Sequence, residues 1–187
     1  LKAQGRTMPI GDTPMGPGVV RDLAYSIMSD DQVSEFERTM EANLAISING
    51  LGRFRVNVYR QRGDAAMVIR YIKGQIPSIE ELNLPLTLKE LIMEPRGLVL
   101  VVGSTGSGKS TTLASMIDHR NQKTTGHILT IEDPVEFLHT HKRSVVDQRE
   151  VGLDTMSYEV ALKNAMREAP DVILIGEIRD RQTMQHA

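Results

Sequence analysis

Apolar residues recur first at helical spacing and then at strand spacing. Val20, Leu23, Ala24, Ile27 and Met28 share one helical face. Ser29 opens S-D-D-Q, in which Ser29 and Gln32 are spaced to cap each other's backbone N–H groups. Val33, Phe36 and Met40 mark the buried side of the helix that follows. The period then drops to two. In GRFRVNVYRQRG, Phe54, Val56 and Val58 alternate with Arg53, Arg55, Asn57 and Tyr59, which predicts a half-buried strand with one basic face. Residues 64–72 predict its partner beyond a turn at Arg62-Gly63-Asp64. Residues 1–17, rich in Gly and Pro, predict a loop with the remnant of a strand at its start.

KGQIPSIEELNLP predicts a connector with its own short helix, capped by Ser78 and Glu81 and closed by Pro85. Beyond it, Leu98 to Val102 and Val172 to Ile175 are apolar throughout, and His127 to Ile131 mostly so. Such short continuous runs suit parallel strands buried on both faces. Helical segments, roughly 109–120 and 157–168, separate them, the second stopped by Pro170. The alternation predicts an α/β chain: a small α+β domain over residues 1–73, a linker over 74–86, and a domain with a mainly parallel sheet over 87–187.

Composition narrows the function. A net charge of −2 exerts no overall pull toward nucleic acid or anionic membrane. The absence of cysteine excludes disulfides and cysteine-ligated metals in this chain and fits a reducing compartment. No apolar stretch approaches the ~18 residues of a membrane span. The start, LKAQGRTMPIGD, lacks the apolar core of a signal peptide. The expectation is a soluble, cytoplasmic protein.

The chemistry concentrates in GSTGSGKSTT. Gly103, Gly108, Lys109 and Ser110 fit G-x-x-x-x-G-K-[ST], with an apolar run before and a helical segment after. Glycines let successive backbone N–H groups turn toward one anion, and a helix beginning there adds its positive end. Gly103, Ser104, Thr105, Gly106, Ser107, Gly108, Lys109, Ser110 and Thr111 are therefore expected to bind the phosphates of a nucleoside triphosphate. Lys109 meets the β and γ phosphates, and the Ser110 hydroxyl ligates Mg²⁺. Two other apolar runs end in acids: ILTI leads into Glu132-Asp133-Pro134-Val135-Glu136, and VILI into Gly176-Glu177. Parallel strands deliver their carboxyl ends to one rim, where ligands bind. Glu132 suits a base or water-positioner there, and Glu177 a holder of Mg²⁺ through its water shell.

Arg53, Arg55, Arg60, Arg62, Arg70 and Lys73 lie within residues 52–73 against one acid, Asp64. Three readings are open: a solvated face, a nucleic-acid contact, or arginine fingers for a neighbouring subunit's triphosphate. Nucleic acid is not expected, because few aromatics interleave the patch. His139 and His141 read as surface residues near a turn.

These segments together resemble a known family. GLVLVVGSTGSGKSTTLASMIDHRN, HILTIEDPVEF and PDVILIGEIRD are similar to the Walker A, Asp-box and Walker B segments of the type II/type IV secretion ATPases. RFRVNVYRQRG, the EEL-LP connector and VDQREVG resemble that family too, and the type IV pilus retraction group is the nearest branch. The resemblance covers residues 18–187. It implies a PAS-like N-terminal domain, a RecA-like P-loop domain, and a homo-hexamer or a mixed ring with a paralogous ATPase. It also implies work on a pilus platform protein at the inner membrane, powered by ATP and Mg²⁺. By that resemblance Glu132 is the catalytic glutamate and Glu177 the Walker B acid. Arg55 and Arg70 are favoured over Arg60 and Arg62 as trans-acting fingers.

Two departures accompany it. Where retraction ATPases often read L-R-x-x-L-R-x-D-P-D, this chain carries Lys163 and Ala169. The family's His box and C-terminal helices would follow Ala187, so the P-loop domain reads as truncated after Walker B, and hydrolysis is expected to need more sequence. Two further readings stay open: an accessory ring subunit that holds nucleotide with little hydrolysis, and a related pilus-assembly or secretion ATPase.

Overall fold

The structure, a computed structural model, describes residues 1–3, 6–72, 74–178 and 181–186. Lys73 of the basic set lies outside the described residues, as do Arg179 and Asp180. The chain divides into two compact units, residues 1–46 with 55–70, and residues 47–54 with 71–187.

The first unit begins with a short antiparallel pair, β1 (Lys2–Ala3) and β2 (Arg6–Thr7). Helices α1 (Val19–Tyr25) and α2 (Asp30–Thr39) follow. The expected reciprocal cap of α2 forms: Gln32 N donates to Ser29 Oγ at 3.3 Å, and Ser29 N donates to Gln32 Oε1 at 3.0 Å. Strands β3 (Glu41–Ile48), β4 (Gly52–Gln61) and β5 (Asp64–Ile72) form a sheet in the order β3-β4-β5. Their two- and three-residue connections allow only antiparallel hairpins. Arg62 and Gly63 both take positive φ in the predicted turn. Ala24, Phe36, Leu44, Val56, Val58 and Ala65 form the core, so the alternating residues of β4 point inward as expected. Arg60 is drawn off the basic face. It pairs with Glu37 at 2.5 Å and lies 5.3 Å from the centroid of the Phe36 ring.

In the second unit two expectations are corrected. Ser78 and Glu81 do cap each other, at 3.2 and 2.7 Å. The turns over 79–83 nevertheless never become a helix, because Asn83 takes a left-handed conformation two residues before Pro85. The first helix is instead α3 (Thr87–Leu91). The strand expected over Leu98 to Val102 does not form either. Among the described residues this segment pairs with no strand, and Val102 is 91% exposed. An apolar run becomes a strand only where a neighbouring ladder accepts its N–H and C=O groups, and none reaches it here.

The remaining elements are α4 (Lys109–Lys123), β6 (His127–Glu132), β7 (Val145–Glu150), α5 (Tyr158–Glu168), β8 (Val172–Ile175) and α6 (Arg181–His186). The sheet is parallel, in the order β7-β6-β8. Side chains of a strand alternate between faces, and the two helices divide them. Ile117 of α4 packs with Ile128, Val146, Val172 and Leu174. Ala161, Leu162 and Ala165 of α5 pack with Leu129, Ile131, Ile173 and Ile175. Even-numbered residues thus face α4 and odd-numbered ones face α5. The last turn of α4 lies at the amino ends of the strands, where Asn121 and Thr124 bond to residues 140–144. From that end the helix runs back over the sheet face that Ile117 packs on, and over 15 residues it is about 22 Å long.

Candidate functional site

The loop ahead of α4 has the conformation an anion cradle needs. Gly106 and Gly108 take φ of +79° and +93°, with open space where a Cβ would stand. At Gly103 a Cβ would come within 2.6 Å of Ser107 Oγ, a contact that turning the serine hydroxyl relieves. Gly108 caps α4 without any side-chain bond, and the first turn holds no acidic residue. The leading N–H groups of α4 are left without a side-chain acceptor, and no carboxylate competes for the helix's positive end. Lys109 Nζ folds back onto its own loop and donates to Ser104 O at 2.9 Å. Ser110 and Thr111 follow in the same turn.

Glu132 closes β6 on the face that α4 covers. Thr130 Oγ1 donates to Glu132 Oε1 at 2.7 Å, and Gln148 Nε2 donates to the same oxygen at 3.2 Å. Burial pushes the Glu132 carboxyl above the usual carboxylate range. The bonds from Thr130 and Gln148 and the backbone N–H of Glu136 partly oppose that rise, while the charge of Glu136 adds to it.

Glu177 follows β8 at the same rim. Gly176 N donates to Ile131 O at 2.8 Å, extending the β6–β8 ladder to the residue before Glu177. A Cβ on Gly176 would stand 3.2 Å from Glu132 Cα, so glycine permits the close approach of these two strand ends. At the other end of β8, Asp171 Oδ2 accepts from His127 N at 2.8 Å. Both ends of β8 are thus tied to β6, and Glu132 and Glu177 are held on adjacent strand ends. Among the described residues no group of three or more His, Cys, Asp and Glu could hold a metal ion.

In the basic region Arg62 and Arg70 are exposed, and Arg55 is partly buried. Arg60 is committed to Glu37 and Phe36. His139 is partly buried, unlike the surface residue expected, and burial drives its ring down to about 4.

Several residues of the site were given no individual role by the sequence, although Gln148 and Glu150 lie in the family-like VDQREVG. The segment 133–144 begins with a cis Asp133–Pro134 peptide and is pinned from both sides. Glu150, 1% exposed, accepts Val135 N at 3.1 Å. Gln148 bonds to Phe137 O and His139 N at 2.9 and 2.7 Å. Asn121 and Asp118 of α4 hold its far end, Asp118 through Lys142 at 2.7 Å.

A family model described as Type II/IV secretion system protein matches residues 24–187. The chain is 53% identical over 187 residues to the type IV pilus ATPase PilU of Pseudomonas aeruginosa, covering all of this chain and 49% of that protein. It is 44% identical over 187 residues to the type IV pilus retraction ATPase PilT of the same organism, covering 54% of that protein. A crystal structure of the pilus retraction motor PilT with bound ADP superposes with a TM-score of 0.86 at 48% identity, over 90% of this chain and 49% of that one. The chain thus spans about half the length of the curated relatives it matches. Among the described residues no helix is long and apolar enough to cross a membrane.

Proposed function

The chain belongs to the type II/IV secretion system protein family, and on that footing we propose that it is the nucleotide-binding part of a P-loop motor ATPase that powers type IV pilus retraction. The protein works as a hexamer, or in a mixed ring with a paralogous ATPase, on a pilus platform protein at the cytoplasmic side of the inner membrane. Residues 1–73 form a PAS-like domain, 74–86 the linker and 87–187 the RecA-like domain. One observation carries the reading. An uncapped helix start follows a glycine cradle, and that helix packs on the sheet face to which Glu132 belongs by strand alternation.

The division of labour follows from the residues. Backbone N–H groups of 103–111 cradle the triphosphate, and Lys109 leaves Ser104 O to meet its outer phosphates. Ser110, and Glu177 through water, would hold Mg²⁺, which when bound neutralises charge on the phosphates. Glu132 orients the attacking water and takes its proton. Its raised affinity for protons brings it nearer the working pH of a general base. Arg55 and Arg70 reach the triphosphate of a neighbouring subunit; Arg60 is set aside because it already serves Glu37.

The test is Mg²⁺-dependent ATP hydrolysis against protein concentration, with these 187 residues beside the full-length protein. Hydrolysis by the full-length protein that rises with assembly, and is abolished by Glu132→Gln, is the expected result. Lys109→Ala is expected to lose ATP binding and keep the fold. ATP binding without hydrolysis in either length would replace the motor with a nucleotide-holding accessory subunit. Unchanged ATP affinity in Lys109→Ala would remove the phosphate-cradle assignment.

A further inference from the structure

Glu132 does not stand alone on its strand. In the parallel register Thr130 lies opposite Gln148, and Glu132 opposite Glu150. All four are even-numbered and face α4. The Gln148 carboxamide has three partners, and their chemistry fixes which end is which. Its Nε2 lies 3.2 Å from Glu132 Oε1 and 2.9 Å from Phe137 O, both acceptors, while its Oε1 takes the N–H of His139 at 2.7 Å. Flipping the amide would set oxygen against oxygen twice and N–H against N–H once. The Thr130 hydroxyl, on a fully buried residue, arrives at the same Glu132 oxygen at 2.7 Å.

We propose that Gln148, assisted by Thr130, is the positioning residue of Glu132: it holds carboxylate Oε1 in place for the reaction and locks that oxygen to the chain at Phe137 and His139. The inference rests on the assignment of Glu132 as the base. A carboxamide is suited to the task because it donates and accepts at once and brings no charge. The acidic groups around Glu132 are already numerous: Glu136 and Asp133 on its own segment, Glu150 on β7 and Glu177 after β8. A glutamate at 148 would add another and remove both donated bonds. Tethering to 137–139 also matters for geometry, since a carboxylate displaced by about 1 Å can lose roughly a hundredfold in rate.

The test uses the full-length protein and four variants. Gln148→Met keeps the length and removes all three bonds. Thr130→Val keeps the shape and removes the hydroxyl donor. Thr130→Ser restores that donor, and Glu132→Gln removes the base. Steady-state ATPase is measured across pH, with ATP binding as the check on folding. The expected result is a fall in kcat of about 10- to 100-fold in Gln148→Met, a smaller one in Thr130→Val, and recovery in Thr130→Ser. The KM for ATP stays within about twofold. The acid limb of the kcat profile moves to higher pH in Gln148→Met and Thr130→Val, because each has lost a bond that favours the ionised carboxylate. Loss of packing alone would not move that limb. If Gln148→Met fails to bind ATP, Thr130→Val against Thr130→Ser decides. Parent kcat and an unmoved acid limb in the folded variants, with Glu132→Gln inactive, would overturn the positioning role and leave the base in place. A fully active Glu132→Gln would overturn both.

Discussion

Asn121 sits at the far end of the helix that begins behind the glycine loop, and replacing it with alanine should loosen the whole 133–144 segment. The residue is 0% exposed. Its Nδ2 donates to Thr140 O at 2.8 Å, and its Oδ1 accepts from Lys142 N at 3.2 Å and Ser144 N at 3.3 Å. Three hydrogen bonds at ~0.5–1.5 kcal/mol each set the starting figure. Thr140 and Lys142 are exposed, so water re-satisfies them and their share falls to the low end. Ser144 is 3% exposed, and its N–H is left where water does not reach, at about 1–3 kcal/mol. The sum is about 3 kcal/mol, a fall in Tm on the order of 10 °C for a domain of this size. The chain has no tryptophan, so far-UV circular dichroism follows the melt, and amide hydrogen exchange locates the damage. Exchange should quicken first at Ser144 and its neighbours. A Tm drop below about 2 °C with unchanged protection at Ser144 would refute the reasoning, since it would mean the buried carboxamide holds nothing that water cannot.

Two other substitutions probe the rim and the crossover. Gly176→Ala places a methyl 3.2 Å from Glu132 Cα and 3.4 Å from Ile131 O. It should cost about 1–3 kcal/mol and lower kcat more than ATP binding, as read by a thermal melt beside steady-state ATPase. His139 titrates at about 4 against an ordinary 6.5. The unfolded chain therefore takes up the proton first as pH falls. Stability should decline from pH 6.5 down to about 4, by roughly 2–3 kcal/mol at the low end. His139→Gln should flatten that part of the Tm–pH curve, and an unaltered slope would show the ring is not what titrates.

What the residue pattern disclosed and what it hid have a common physical cause. Val56 and Val58 could be assigned to a core because the solvent side of β4 is polar, so periodicity and burial coincide. The α2 cap and the β4–β5 turn are local, written in residues a few positions apart. The cradle, Glu132 and Glu177 could be put forward from the sequence because a glycine motif and strand-end acids carry their own chemistry. β7 escaped because VVDQRE places Gln148 and Glu150 on a covered face, where alternation leads one to expect apolar residues. Their burial is affordable only because Phe137, His139 and Val135 of the loop before β7 fold back to supply partners. Asn121, in the polar-looking end of α4, was hidden for the same reason. In the opposite sense LVLVV promised a strand from composition alone, but a strand also needs a ladder to join.

That unclaimed LVLVV has a consequence for handling. It is rich in branched side chains, free of charge and proline, and presents Leu98, Leu100 and Val102 to solvent. Such segments lend themselves to strand borrowing between molecules. In concentrated solutions of these 187 residues, copies should cross-pair through this pentapeptide and scatter light with no nucleotide present. A rate or a particle size that grows with concentration is then ambiguous between ring formation and sticking. Replacing Leu100 with lysine would abolish the second and so calibrate the first.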